Sequence, residues 1–192
     1  MPDLAPRMST TRSAAPLRTA GRWMVSFLGF PLGGVTALLI VGGVHNLADA
    51  LIGGLITGAI LGAVQSWSLG RSGPPATQWI AATAVGVMVG FGIGSAVVDY
   101  RTDLGSLILQ GAITGLVVGG AQALVLWRRL GRRALAWPLV LAASWALGWL
   151  ITTVAGIAVD QQFIVFGSSG AVVVTALTVV LPLALSRNAV RA

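Results

Sequence analysis

Long apolar stretches separated by short polar connections occupy almost the whole chain from Trp23 onward. The six stretches cover residues 23–44, 50–69, 78–98, 104–127, 135–159 and 163–185. Each has the roughly 20 residues that a helix needs to cross a hydrocarbon core ~30 Å thick. Because lipid offers no hydrogen-bond partner to an open strand edge, all six are expected to be helices. The pattern predicts an all-α, polytopic membrane protein with six transmembrane helices.

The predicted membrane domain comprises residues 23–186, and short polar connections separate its helices. These connections are only a few residues long, so neighbouring helices are expected to be antiparallel. Residues 1–22 are rich in Ala, Pro, Ser, Thr and Arg and lack apolar periodicity, which predicts a disordered cytoplasmic tail. Residues 187–192 form a second, short cytoplasmic tail.

Composition excludes several classes of function. Only 9% of the residues are charged and 56% are hydrophobic, whereas a soluble domain carries about 25% charged residues. The chain has no cysteine and a single histidine, His45, so thiolate chemistry and multi-histidine metal sites are excluded. We therefore expect no catalytic residues, no metal and no cofactor. The net charge of +7 comes from arginines beside apolar stretches, which predicts a lipid bilayer rather than nucleic acid as partner.

Charge distribution predicts the orientation. Of the twelve arginines, eleven fall on one side of a six-span arrangement and only Arg101 falls on the other. The positive-inside rule then places both termini in the cytoplasm, and a bacterial plasma membrane is the expected location. Five tryptophans lie at the cytoplasmic helix ends, as in an interfacial aromatic belt: Trp23, Trp67, Trp79, Trp127 and Trp137.

The opposite side carries an acidic rim composed of His45, Asp49, Asp99, Asp103 and Asp160. Converging carboxylates could concentrate a cation or a proton there. Solvated helix ends explain the same residues more simply, because none of these acids lies deep within an apolar stretch. We favour the second interpretation.

An internal repeat refines the architecture. Residues 54–65 and 111–122 share Gly, Thr, Gly, Gly and Gln at an offset of 57. The repeating unit is a helical hairpin of about 58 residues, and aligning Gly170 with Gly111 makes the last helix a degenerate third copy. The six helices are thus predicted to form three tandem hairpins, arranged either as a ring about the membrane normal or as a row.

Glycines spaced four residues apart give three helices a smooth face that another backbone can approach. We expect the partner faces to be equally small, such as Ser144, Gly148 and Thr152 on the fifth helix. The predicted helix-packing glycines are Gly54, Gly58, Gly62, Gly86, Gly90, Gly94, Gly111, Gly115 and Gly119.

Six residues are candidates for a polar or ligand-binding site: Gln65, Gln122, Thr57, Thr114, Trp145 and Trp149. The two glutamines continue the glycine faces, and either bind a ligand or hydrogen-bond a neighbouring carbonyl or each other. Trp145 and Trp149 either stack on a ligand or fill the groove beside a glycine face. In both cases we favour the structural role.

Residues 167–170, Gly-Ser-Ser-Gly, resemble the G-x-S-G nucleophile motif of rhomboid intramembrane proteases. The resemblance implies Ser169 as nucleophile and a histidine on a later helix. No histidine follows Ser169, and a serine without a base is a poor nucleophile. Helix packing explains these small residues better.

Two hypotheses for function are favoured over a third, a membrane enzyme, which would need a cofactor to supply the missing chemistry. The first is a non-enzymatic interaction or accessory subunit that associates with itself or with another membrane protein. The alternative is a small transporter, channel or solute-binding component, since the chain is similar in size and helix number to the substrate-binding subunits of energy-coupling-factor vitamin importers. An internal cavity lined by Gln65, Gln122, Thr57, Thr114 and Trp145 would favour the alternative, and a solidly packed bundle would favour the first.

Overall fold

The structure, a computed structural model, describes residues 14–156 and 168–189. Throughout these residues the secondary structure is helical, with no strand. The helices are α1 (Ala14–Met24), α2 (Gly29–Val41), α3 (Leu47–Leu69), α4 (Ala76–Val97), α5 (Leu104–Leu130), α6 (Trp137–Val154), α7 (Ser168–Leu177) and α8 (Val180–Ala189). The prediction of an all-α chain is confirmed for this part of the molecule.

Several of these helices join into longer apolar segments. Within the described ranges, five segments are long and apolar enough to cross a membrane. They are Pro16–Val41, Leu47–Ser72, Ala76–Val97, Leu104–Val154 and Ser168–Arg187. The fourth, of 51 residues, contains both α5 and α6, which the 3₁₀ segment Gly131–Ala136 separates. Helices of this length and hydropathy indicate a membrane protein.

The first helix begins earlier than its composition predicts. Helix α1 starts at Ala14, so residues 14–22 are helical rather than part of a disordered tail. Pro16 lies in the first turn, where its missing N–H costs no intrahelical bond. Trp23 near the end of α1 is buried, and this burial ties the segment to the bundle. Residues 1–13 lie outside the described part of the chain.

Successive long helices pack against each other in antiparallel pairs. Gly58 on α3 lies opposite Ala84 on α4, and Gly54 lies opposite Met88, so the two helices run in opposite directions. The same order relates α4 to α5 and α5 to α6. Helix α7 contacts α6 on one side and both α1 and α2 on the other. The described helices therefore close into a ring.

Two glycines reverse the chain at the same end of the bundle. Gly70 ends α3 with φ 54° and ψ −143°, and Gly131 ends α5 with φ 55° and ψ −138°. A side chain disfavours this backbone conformation, so glycine is required at both turns. Each glycine leads into a short 3₁₀ segment before the next helix begins.

Candidate functional site

The five tryptophans assigned to an interfacial belt divide into two groups. Trp67 and Trp127 are 58% and 48% exposed, as an interfacial position requires. Trp23, Trp79 and Trp137 are only 1%, 0% and 6% exposed. The belt interpretation is therefore wrong for these three, whose rings lie in the interior of the bundle.

A chain of hydrogen bonds links four helices through two of the buried indoles. The Trp137 Nε1–H donates to Gln122 Oε1 at 2.7 Å, and the Trp79 Nε1–H donates to Gln65 Oε1 at 3.2 Å. Gln122 Nε2 donates to the Thr83 hydroxyl at 2.9 Å, and that hydroxyl donates to the Trp79 carbonyl at 2.8 Å. The chain runs from α6 through α5 and α4 to α3, and we call it the indole–amide network.

The third buried indole makes an equivalent bond where the ring closes. The Trp23 Nε1–H lies 3.2 Å from the Thr178 hydroxyl and 3.0 Å from the Thr175 carbonyl. Sequence alignment of the repeat places Leu181 at the glutamine position of this copy, so the polar partner was missed. Thr178 lies three residues earlier, on nearly the same face of the helical segment.

The three polar partners surround the centre of the ring. A void of about 10 Å³ lies there, lined by Gln65, Gln122 and Thr178 among others. A void of this size holds at most about one water molecule. Phe30 and Trp145 also line it, packed edge to face with ring centroids 5.8 Å apart. The interior at this level is filled by side chains that bond each other.

Each glycine face packs against the backbone of the helix that follows it. Gly54, Gly58 and Gly62 meet α4, Gly86, Gly90 and Gly94 meet α5, and Gly111, Gly115 and Gly119 meet α6. A Cβ at any of these positions would lie 2.4–3.0 Å from its nearest neighbouring atom. The expectation that the partner faces are equally small is wrong, because Met88, Val118 and Leu141 are among the residues opposite these glycines. Each glycine face on α3, α4 and α5 points to a different neighbouring helix.

The remaining candidate residues for a polar or ligand-binding site lie at different contacts between helices. Thr57 is buried opposite Gly33, and its Oγ1 has no hydrogen-bond partner among the described residues. The Thr114 hydroxyl donates to the Gln110 carbonyl of its own helix at 2.8 Å. Trp145 and Trp149 are both buried and pack beside Gly111. The structure thus brings Gln65, Gln122 and Trp145 together and places the threonines elsewhere.

The acidic rim consists of helix ends at the far side of the bundle. Asp49 Oδ2 accepts the backbone N–H of His45 at 3.1 Å, and the backbone N–H of Asp49 is capped by Asn46 at 3.0 Å. Asp99 adopts a positive φ of 53° after the end of α4. Asp160 lies outside the described residues. Within the described ranges, no three His, Asp or Glu side chains could share a metal ion.

Asp103 caps the N-terminus of α5 on the same rim. Its carboxylate accepts hydrogen bonds from the hydroxyl and from the backbone N–H of Ser106. These bonds, the hydroxyl bond first and the backbone bond second, lower the pKa of the Asp103 carboxyl below its usual value of 3.8. Nearby Arg101 lowers this pKa further. The arrangement is that of a helix cap.

Sequence reasoning also missed a polar residue just inside this rim. Gln110 is buried, and its Nε2 donates to the Ser95 hydroxyl at 3.2 Å across α4 and α5. It borders a cavity of about 30 Å³ that Tyr100 and Arg101 also line. A glutamine within an apolar stretch was the available signal, but it falls outside the repeated motif.

Comparison of the chain with protein families, with curated proteins and with solved structures found no match. Function must therefore be argued from the geometry. The buried amides and indoles hydrogen-bond neighbouring helices to one another.

Proposed function

We propose that this protein is a non-enzymatic integral membrane protein that serves as an interaction or accessory subunit. The observation that carries the proposal is the filled centre of the ring. Both glutamine candidates bond indoles of neighbouring helices, and the void beside them measures about 10 Å³. Pockets that enclose a drug-sized ligand measure about 300–1,000 Å³, so this void has no room for an organic solute. A solidly packed centre instead favours a role exercised through the outer surface.

The proposed topology has six crossings. A single helix of 51 residues would be about 75 Å long, more than twice the thickness of the hydrocarbon core. Helices α5 and α6 instead pack antiparallel, with Gly119 opposite Pro138 and Gly111 opposite Trp145. The turn at Gly131 therefore supports two crossings within this segment.

Both termini are proposed to lie in the cytoplasm. Arg22 of α1 donates to the carbonyl of Trp67, and Arg129 of α5 donates to the carbonyl of Ser72 at 3.2 Å. These contacts support a common arginine-bearing end for α1, α3 and α5. Arg101 lies at the opposite end, between Asp99 and Asp103. An excess of arginine on one side favours the cytoplasm for that side.

The hairpin repeat is proposed to close through the ring. The bond between Trp23 and Thr178 matches those of Trp79 with Gln65 and Trp137 with Gln122. On this view the third unit consists of α7 and α8 together with α1 and α2. It is divided between the two ends of the chain, which supports approximate threefold symmetry about the membrane normal.

The chain contains no cysteine, so single-cysteine variants can map the topology without background labelling. We expect Thr102→Cys and Ala155→Cys to react with a membrane-impermeant maleimide in intact cells. Ser72→Cys is expected to react only after permeabilisation. If the segment Leu104–Val154 crossed once, Thr102→Cys and Ala155→Cys would label from opposite sides, which would contradict six crossings.

The accessory role is tested by native mass spectrometry of the full chain released gently from its own membrane. We expect it to carry a stoichiometric protein subunit or a second copy of itself. Retention of a small polar solute with no protein partner would contradict the accessory role and favour a solute-binding component.

A further inference from the structure

An apolar groove opens between α6 and α8 at the arginine-bearing end of the bundle. Its volume is about 430 Å³, within the range of about 300–1,000 Å³ typical of small-molecule sites. The walls include Trp137 and Val140 of α6 and Leu181 and Ala184 of α8. The indole–amide network holds the inner wall in place, because Trp137 donates its N–H to Gln122.

Two arginines border the otherwise apolar groove. Arg133 precedes α6 and Arg187 lies in the last turns of α8, and both side chains are exposed. No acidic residue is among the lining residues. Two guanidinium groups beside an apolar groove are complementary to an amphiphile with an anionic head, because guanidinium binds phosphate oxygens in a bidentate geometry.

We propose that this groove binds an anionic phospholipid of the cytoplasmic leaflet. Arg133 and Arg187 hold the phosphate, and one acyl chain lies along the wall formed by Trp137 and Leu181. The site rests on the orientation proposed above, in which the arginine-bearing end faces the leaflet that carries anionic lipid.

The chain's own termini are the competing occupants, and their charge disfavours them. Residues 1–13 contain Arg7 and Arg12 but only one acid, Asp3, and residues 190–192 contain Arg191. A segment with net positive charge is repelled by the two arginines of the groove, whereas a phosphodiester is attracted. Phospholipid is therefore the occupant that the charges favour.

The headgroup contact is tested with the full-length protein in a neutral detergent, titrated with phosphatidylglycerol or phosphatidylcholine and observed by native mass spectrometry. The double variant Arg133→Gln with Arg187→Gln should lower the affinity for phosphatidylglycerol at least about tenfold. The matched control, Arg71→Gln with Arg132→Gln, removes two exposed charges from the same end outside the groove. It should lower this affinity by less than about threefold. Equal losses in the two double variants would overturn the proposal.

The acyl-chain contact is tested by filling the groove while both arginines are kept. Ala184→Trp should also lower the affinity for phosphatidylglycerol about tenfold or more. Inorganic phosphate at millimolar concentration should not displace the lipid. Wild-type affinity in Ala184→Trp, or displacement by phosphate, would overturn a lipid site and leave a simple anion site.

Deletion of residues 2–13 tests whether the N-terminal segment, rather than phospholipid, occupies the groove. An unchanged affinity supports the proposal, and a tenfold gain would show that the N-terminal segment fills the groove. Labelling of Ser72→Cys and Ala155→Cys in each variant keeps a failure of the topology distinct from a failure of the lipid site.

Discussion

Replacing Gly115 by alanine introduces one methyl group at the closest approach between α5 and α6. Its Cβ would lie 2.4 Å from the carbonyl oxygen of Leu141 and 2.9 Å from the Cα of Ala142. Both neighbours are backbone atoms, so no side-chain rotation can relieve the contact. The helices must separate by about 1 Å to restore ordinary van der Waals distances.

The cost follows from overpacking, which typically destabilises a protein by about 1–3 kcal/mol. Gly120 on the same helix provides the matched control, because nothing lies within 4 Å of a Cβ there. Gly120→Ala should stabilise α5 by up to about 1 kcal/mol through reduced freedom of the unfolded chain. The two variants should therefore differ by roughly 1–4 kcal/mol in unfolding free energy.

Thermal unfolding of the purified chain in detergent, followed by tryptophan fluorescence, measures this difference. For a protein of 150–250 residues, 1 kcal/mol corresponds to about 2–4 °C in Tm. We expect Gly115→Ala to melt roughly 2–12 °C below wild type and Gly120→Ala to melt at or above it. Equal Tm values for the two variants would refute close backbone contact between α5 and α6.

Further substitutions test three features of the structure: the indole–amide network, the acidic rim and the turn at Gly131. Gln122→Leu breaks two buried hydrogen bonds and should lower the unfolding free energy by about 1–3 kcal/mol. Gln65→Leu breaks a part-buried bond of 3.2 Å and should lower it by under about 1 kcal/mol. Chemical unfolding in detergent measures both losses, and a larger loss in Gln65→Leu would contradict the network. Because its pKa is lowered in the folded state, the Asp103 carboxylate stabilises the fold above pH 3.8, and this contribution is lost as pH falls through the lowered value. Thermal melts should show this acid-dependent loss in wild type and in Asp99→Asn but not in Asp103→Asn, and a loss retained in Asp103→Asn would exclude the cap as its source. In Gly131→Ala the added Cβ has no neighbouring atom within 4 Å, but the residue must adopt φ 55°. Backbone strain alone should therefore lower the unfolding free energy by about 1–3 kcal/mol. An unchanged Tm would mean that the turn rearranges.

Helix positions were the most predictable feature of the fold. The start of α5 at Leu104 and the end of α3 at Leu69 coincide with the predicted boundaries. Lipid obliges a crossing segment to satisfy its backbone hydrogen bonds internally, so an apolar stretch of sufficient length specifies a helix. The start of α1 at Ala14 was not predictable in this way, because residues 14–22 contain two arginines and no long apolar stretch. Burial of Trp23 ties them to the bundle.

The candidate site was predictable only in part. Gln65 and Gln122 could be singled out because a polar side chain is costly within an apolar stretch. Their partners could not, since a tryptophan at a helix end is equally suited to the membrane interface and to the interior. Only the exposed fraction of the side chain in the folded protein distinguishes the two locations: Trp67 is exposed and Trp79 is buried.

The sequence by itself determined the class of protein, the helical segments and the separation of arginines from aspartates, because these depend on local hydropathy and charge. It left open whether the helices form a ring or a row. The contacts of α7 with α1 and α2, and the bond from Trp23 to Thr178, decided for the ring. Those residues lie about 150 positions apart, and no local pattern specifies a contact over that separation, because it forms only when all the intervening helices have packed.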